Sequence, residues 1–229
     1  MPENRDAVLA VIGKTFEEIS LDPRKGLEGR HALPFFSVLL CAKHRASEIK
    51  GAFMSFLRLD DKILDVLLGD LLTEYVGMTL SYMCEGDADV VKTLFEDKTA
   101  CDTVRIEAAS CLNTWYVRGI LSREELAAYY RQRLSSLEGE SHYYISMLLM
   151  CFMDLYPSDD KAAIKEIIDS GRTDRFLHTD DEYEALFSSS EEEVLAATRK
   201  KYSREINDIV EMLRKWSWGG DVKLSRNTI

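Results

Sequence analysis

Helix breakers are scarce in this chain. Four prolines and 12 glycines among 229 residues amount to about 7%, against roughly 12% in average usage, so long uninterrupted elements are expected. Basic charge is also short: 29 Lys+Arg face 40 Asp+Glu, a net charge of −11. A phosphate-binding surface needs the opposite sign, so no nucleic-acid partner is expected. The longest stretches free of Asp, Glu, Lys and Arg are residues 141–153 and 31–42, short of the ~20 residues of a membrane span. They read as buried core helices, with no membrane partner. Residues 1–6 are polar and mixed in charge, unlike the basic-then-apolar start of an export signal.

Cysteine patterning is absent too. The five cysteines, at 41, 84, 101, 111 and 151, form no CxxC pair, which argues against a disulfide framework and a structural zinc site. They read as reduced core thiols, and a cytoplasmic location follows. GxSxG, HExxH, GxGxxG and P-loop signatures are all missing, so the common hydrolase, zincin and nucleotide-binding chemistries find no support. Histidine offers little more. Glu28 and His31 have ExxH spacing, but Gly29 lies between them in a loop. His44 reads as a cation at a helix C-terminus, and His142 and His178 as solvated side chains. No catalytic residue, metal site or cofactor is expected.

What the chain does have is helical periodicity. In residues 6–20, Val8, Val11, Ile12, Phe16 and Ile19 recur at steps of three or four. Further helices are expected over 31–44, 48–59, 62–82, 87–96, 102–118, 122–137, 142–155, 159–169, 182–187 and 191–216. Ser122 with Glu125, Thr179 with Glu182 and Ser190 with Glu193 have capping-box spacing. Gly119 and Gly171 stand where a helix C-terminus favours glycine, and Pro157 closes the very apolar 142–155 segment. No alternating run argues for a strand. The fold class is all-α.

The helices come in pairs. Comparable polar-to-apolar starts near residues 31, 65, 102 and 142 give intervals of 34, 37 and 40, the range of two-helix solenoid repeats. The sharpest unit, Asp102-Thr103-Val104-Arg105-Ile106-Glu107-Ala108-Ala109-Ser110-Cys111-Leu112, resembles the inner helix of a HEAT-like repeat. Small residues there let helices approach closely. Asp102 suits the helix dipole, and Arg105 can reach carbonyls or an acid in the next unit.

Further residues carry a resemblance to a family. They are the run from Leu67 to Glu74, which contains Gly-Asp-x-x-Thr-Glu, then Gly86-Asp87, the Asp102–Leu112 unit, and Asp154-Leu155-Tyr156-Pro157. Together, over roughly residues 30–190, they resemble a bacterial family of HEAT-like proteins classed as a domain of unknown function. That resemblance implies a HEAT-like α-solenoid and no activity. Members often end in a zinc module resembling the tail of SecA; no cysteine follows Cys151, so that role does not carry over. The expected architecture is one domain: a right-handed stack of about five antiparallel helix pairs over residues 1–178, then a C-terminal capping helix and frayed tail over 179–229.

Two polar stripes are the candidate site. On a continuous 62–82 helix, Asp70, Thr73, Glu74, Gly77 and Ser81 share one face; on the next inner helix Thr103, Glu107, Ser110 and Thr114 do the same. Side by side they make an acidic concave groove lined by Asp70, Glu74 and Glu107, with Thr73 and Arg105 beside them, suited to a basic peptide or protein segment. A plainer reading carries more weight for Asp70 and Glu74, in which they brace neighbouring helices through Arg105 or a loop amide. A third makes the carboxylates an acid–base or metal pair, although no further ligand is in sight. Residues 180–193 hold seven acids and no base, and 199–226 eight bases against four acids, charges expected to compensate locally. Ile206, Ile209, Val210 and Leu213 make an apolar stripe followed by Trp216 and Trp218, and Trp218 is a candidate anchor for another chain. The expected function is a non-catalytic protein-interaction scaffold of undetermined oligomeric state; the alternative is an enzyme with a carboxylate-lined pocket.

Overall fold

The computed structural model of the chain describes residues 3–28, 32–174, 177, 180–206 and 209. The expectations for His31, His178, Thr179, Val210, Leu213, Trp216 and Trp218 lie outside the described residues. Within them the chain is all-helical, with no strand; its helices, numbered in chain order, include the peripheral α2 (Arg24–Leu27), α12 (Lys161–Asp169) and α13 (Asp180–Ser188) beside those described below.

Local sequence signals set many helix ends. Ser122 and Glu125 form a capping box at the start of α10 (Arg123–Leu134), as do Ser190 and Glu193 at α14 (Glu191–Tyr202). Each box satisfies two backbone N–H groups that a helix start leaves unpaired. Ser141 accepts the Tyr144 N–H to open α11 (His142–Met153), and Asp60 accepts that of Lys62 to open α5 (Asp61–Leu68). Gly119 takes a φ of 73° just past α9 (Asp102–Val117), where a side chain would be strained.

α9 is the centre of the fold. Val104, Ala108, Ala109, Cys111, Leu112 and Trp115 are fully buried, and the two alanines keep its neighbours close. It packs against α6 (Leu71–Glu74), α7 (Val76–Met83), α8 (Ala88–Glu96), α10, α11 and α14. On the far side of α7 lies α3 (Ala32–His44), and α3 packs in turn on α1 (Glu3–Leu21), which holds α4 (Lys50–Phe56). Phe16 of α1 meets Phe53 and Phe56 of α4 at ring-centroid distances of 5.3 and 4.8 Å.

Two expected helices break where the structure needs them to. The 62–82 helix is three pieces, α5, α6 and α7. Gly69 adopts a φ of 53° after α5, and Tyr75, at φ −133° and ψ −16°, separates α6 from α7. The Gly77 N–H, which a continuous helix would send to the Thr73 carbonyl, instead donates to Glu107 Oε2 at 2.8 Å. The second difference is at the other end of the chain. α14 stops at Tyr202 and residues 203–206 are irregular, although helical periodicity continues past them. Tyr202 is pulled into the core, where its hydroxyl donates to Asp154 Oδ2 (2.7 Å) and accepts from Asn113 Nδ2 (3.2 Å). Thr198 and Lys201 reach the same Asp154, through its carbonyl and its carboxylate. Lys201 and Arg204 thus pair with Asp154 and Glu74 rather than with the acidic 180–193 run.

Candidate functional site

A cavity of about 140 Å³ opens where α6, α7, α9 and α11 meet the segment from Lys201 to Arg204. It contains much of what the two polar stripes predict. Thr73 and Glu74 reach it from α6, and Glu107, Ser110 and Thr114 from successive turns of α9. The α9 stripe survives because α9 is one unbroken helix, so residues at steps of three and four share a face.

The remaining expected residues stand elsewhere. Asp70 precedes α6 as an exposed residue whose side chain makes no capping bond. Asp70 and Glu74 still share one short turn, the Glu74 N–H donating to the Asp70 carbonyl at 3.0 Å, but the breaks at Gly69 and Tyr75 detach that turn from Gly77 and Ser81, and only Thr73 and Glu74 of it line the cavity. Arg105 is 2% exposed and built into the core. Its guanidinium takes both Glu140 oxygens (2.7 and 3.0 Å), Asp102 (2.9 Å) and the Phe95 carbonyl (3.1 Å), and lies 3.9 Å over the Tyr144 ring. Burial would raise the pKa of Glu140, but Arg105 and Lys98 outweigh it and hold the carboxylate below its ordinary value. Asp102 also accepts from Ser141 at the start of α11. Arg105 therefore ties α9 to the α8 end and to the segment that opens α11. His44 is at the end of α3 as expected, where burial, with Arg5 and Lys43 nearby, lowers its pKa and so disfavours its cationic form.

Glu107 is the unusual group. It is 8% exposed, and its Oε2 accepts the Gly77 N–H at the first turn of α7. Its other oxygen, Oε1, has no hydrogen-bond partner among the described residues. Burial pushes its pKa up to about 8; Glu74 adds to that, while the Gly77 N–H, Arg204 and Lys201 oppose it. The close approach that allows this bond depends on Gly77 having no side chain. A Cβ there would stand 2.8 Å from the Glu107 carbonyl oxygen, 2.8 Å from its Oε2 and 2.9 Å from Ser110 Cβ.

Around Glu107 the walls are mixed. Met78, Ile106, Met147, Met150 and Cys151 supply apolar surface; Lys201, Tyr202 and Arg204 close the C-terminal side. Arg204 pairs with Glu74 at 2.9 Å, both half exposed at the rim. Burial raises the Cys151 thiol to about 12, so it is no thiolate near neutral pH. The hydroxyl of Thr114 is spent on the Ser110 carbonyl and that of Thr73 on the Asp70 carbonyl. Among the described residues, no three His, Cys, Asp or Glu side chains gather as a metal site, and no helix is long and apolar enough to cross a membrane.

Several residues of the site were outside the sequence reading. Asn113 joins four helices: its amide donates to the Cys151 carbonyl (3.0 Å) and to Tyr202, and its Oδ1 accepts from Tyr130 (2.9 Å). An amide in the middle of an otherwise apolar stretch of α9 is the one signal that marks it beforehand. Asp154, Lys201 and Arg204 carry no such signal, because their pairings span 47 and 130 positions of sequence.

Comparison with known proteins places the chain in a family. Residues 5–219 match the family described as Protein of unknown function (DUF1186), and the chain belongs to it. No curated protein and no solved structure matches.

Proposed function

From membership in a family without an assigned activity, we propose that the chain is a non-catalytic interaction scaffold whose acidic groove receives a basic peptide or protein segment. The observation that carries this reading is what the chain does with its own basic residues. Lys201 and Arg204, from the far end of the described sequence, lie along the groove and pair with Asp154 and Glu74. A rim that recruits cations in cis has the charge and spacing to recruit them in trans. In this reading α3, α7, α9 and α11, each packed on the next, are the inner row of a HEAT-like α-solenoid of about five pairs, and α14 is its cap. The five cysteines are all free thiols, which suits a reducing, cytoplasmic location.

One observation favours an enzyme instead. A carboxyl raised to about 8 has the acid–base profile of a catalytic group. The cavity, at about 140 Å³, is small beside the roughly 300–1,000 Å³ of small-molecule sites, and its thiol and hydroxyls are not activated. The scaffold reading is therefore preferred. It is tested by presenting the folded chain with an arrayed library of peptides of graded charge. Basic peptides are expected to bind, and Glu74→Ala is expected to weaken them at an unchanged melting temperature. Binding that ignores peptide charge would remove the reading.

A further inference from the structure

Deepening that reading, and resting on it, we propose that the Glu107 cavity is a socket for a single lysine side chain of the partner, with its ammonium on Glu107 Oε1. Size is the first argument. An apolar cavity of about 150 Å³ accommodates benzene, six heavy atoms, and this one measures about 140 Å³. A lysine side chain has five heavy atoms beyond Cα; arginine has seven, four of them in a flat fork. The cavity fits the first and crowds the second.

The lining chemistry is the second argument. Met78, Met147 and Met150 offer unbranched, adaptable surface for four methylenes. Oε1 of Glu107 accepts no hydrogen bond from the described residues and is not fully closed off from solvent, so it is open to a donor that enters the cavity. A lysine ammonium brings three donors and the complementary charge. The two resident cations are not competitors for that oxygen, because Lys201 is held by Asp154 and Arg204 by Glu74.

The charge state of the socket gives the proposal its own signature. Among the described residues, the groups that face Glu107 are Glu74 from α6, Lys201 and Arg204 from the C-terminal segment, Tyr143 and Cys151 from α11, and Cys111 from α9. Burial raises the last three, so they stay neutral between pH 6 and 8 and do not mask Glu107. Ammonium binding needs the carboxylate, whereas the free carboxyl, at about 8, holds its proton at pH 6 and 7. Binding must release that proton, so affinity rises roughly tenfold per pH unit up to about 8 and then levels until lysine itself deprotonates near 10.4.

The test uses the full chain with methyl-labelled methionine, the signals of Met78, Met147 and Met150 being assigned by single Leu substitutions. N-acetyl-lysine methylamide is titrated against its norleucine and arginine counterparts, followed by NMR. The lysine probe is expected to shift those three methyls saturably; the norleucine probe, which keeps the four carbons and lacks the ammonium, and the arginine probe are not. Affinity for the lysine probe is expected to rise about tenfold from pH 6 to 7, a readout that needs no variant to fold. Glu107→Gln, which keeps an acceptor for the Gly77 N–H, is expected to abolish both the shift and its pH dependence. Equal response to all three probes, no response, a flat pH profile, or retained binding in Glu107→Gln overturns the proposal. Should basic peptides bind the wild type and weaken with Glu74→Ala while the lysine probe fails, the socket falls and the groove stands. Should the probe bind while peptide charge makes no difference, the groove falls alone.

Discussion

Glu107 makes the stability of this protein depend on pH in an unusual direction. Its ordinary pKa of 4.5, which the unfolded chain restores, rises to about 8 in the fold because burial disfavours the charged carboxylate. Between those values the native state holds a proton that the unfolded state has lost. Stability therefore falls as pH rises through this window, the reverse of a carboxylate held low by an ion pair. Each pKa unit corresponds to about 1.4 kcal/mol, so the loss from pH 5 to pH 8 comes to roughly 3–4 kcal/mol, a large share of the 5–15 kcal/mol usual for a domain. Glu107→Gln keeps the hydrogen-bond acceptor and the volume but cannot titrate. Urea unfolding of both proteins at pH 5.5, 6.5 and 7.5 isolates the effect, since every other titrating group cancels in the difference. The wild type is expected to lose ground to the variant by about 1 kcal/mol or more per unit. A difference that stays flat, or that moves in favour of the wild type, refutes the idea of a buried neutral carboxyl in the cavity.

Two further outcomes follow from the packing. Gly77→Ala puts a methyl against the backbone carbonyl of Glu107 and against Ser110, so α7 and α9 must separate; a loss of about 1–3 kcal/mol is expected despite alanine's better helix propensity, and a higher urea midpoint for the variant would contradict it. Arg105→Ala leaves the 3%-exposed Glu140 side chain with Lys98 as its one remaining ion-pair partner among the described residues, with an expected cost of about 3 kcal/mol, whereas Arg105→Met combined with Glu140→Leu removes both charges and is expected to recover most of that loss. Thermal unfolding of the single and double variants separates the two.

The degree to which the site was legible differs from residue to residue. Glu107, Ser110 and Thr114 were found because α9 obeys its periodicity for its whole length. Asp70 stays outside the cavity because a wheel drawn through residues 70–81 assumes one helix, whereas the chain breaks at Tyr75 (φ −133°) and leaves Asp70 at the start of a single four-residue turn. Arg105 was noticed for the right chemistry in two candidate roles, groove and brace, and its bidentate bond to Glu140 makes it a brace. Tyr202 and Arg204 lay inside a helix expected to run to residue 216, and nothing local announces that the chain leaves the helix at Ser203.

By itself the sequence determined the class of the fold and the places where most helices begin, because capping boxes and apolar periods act over four residues or fewer. Only the tertiary structure decided where the 62–82 helix breaks, which acids face the cavity and which of them stays protonated. Those outcomes depend on burial and on partners tens of residues away: the Gly77 N–H finds Glu107 only after α7 packs on α9, and Glu107 gains its raised pKa only once water has been removed around it.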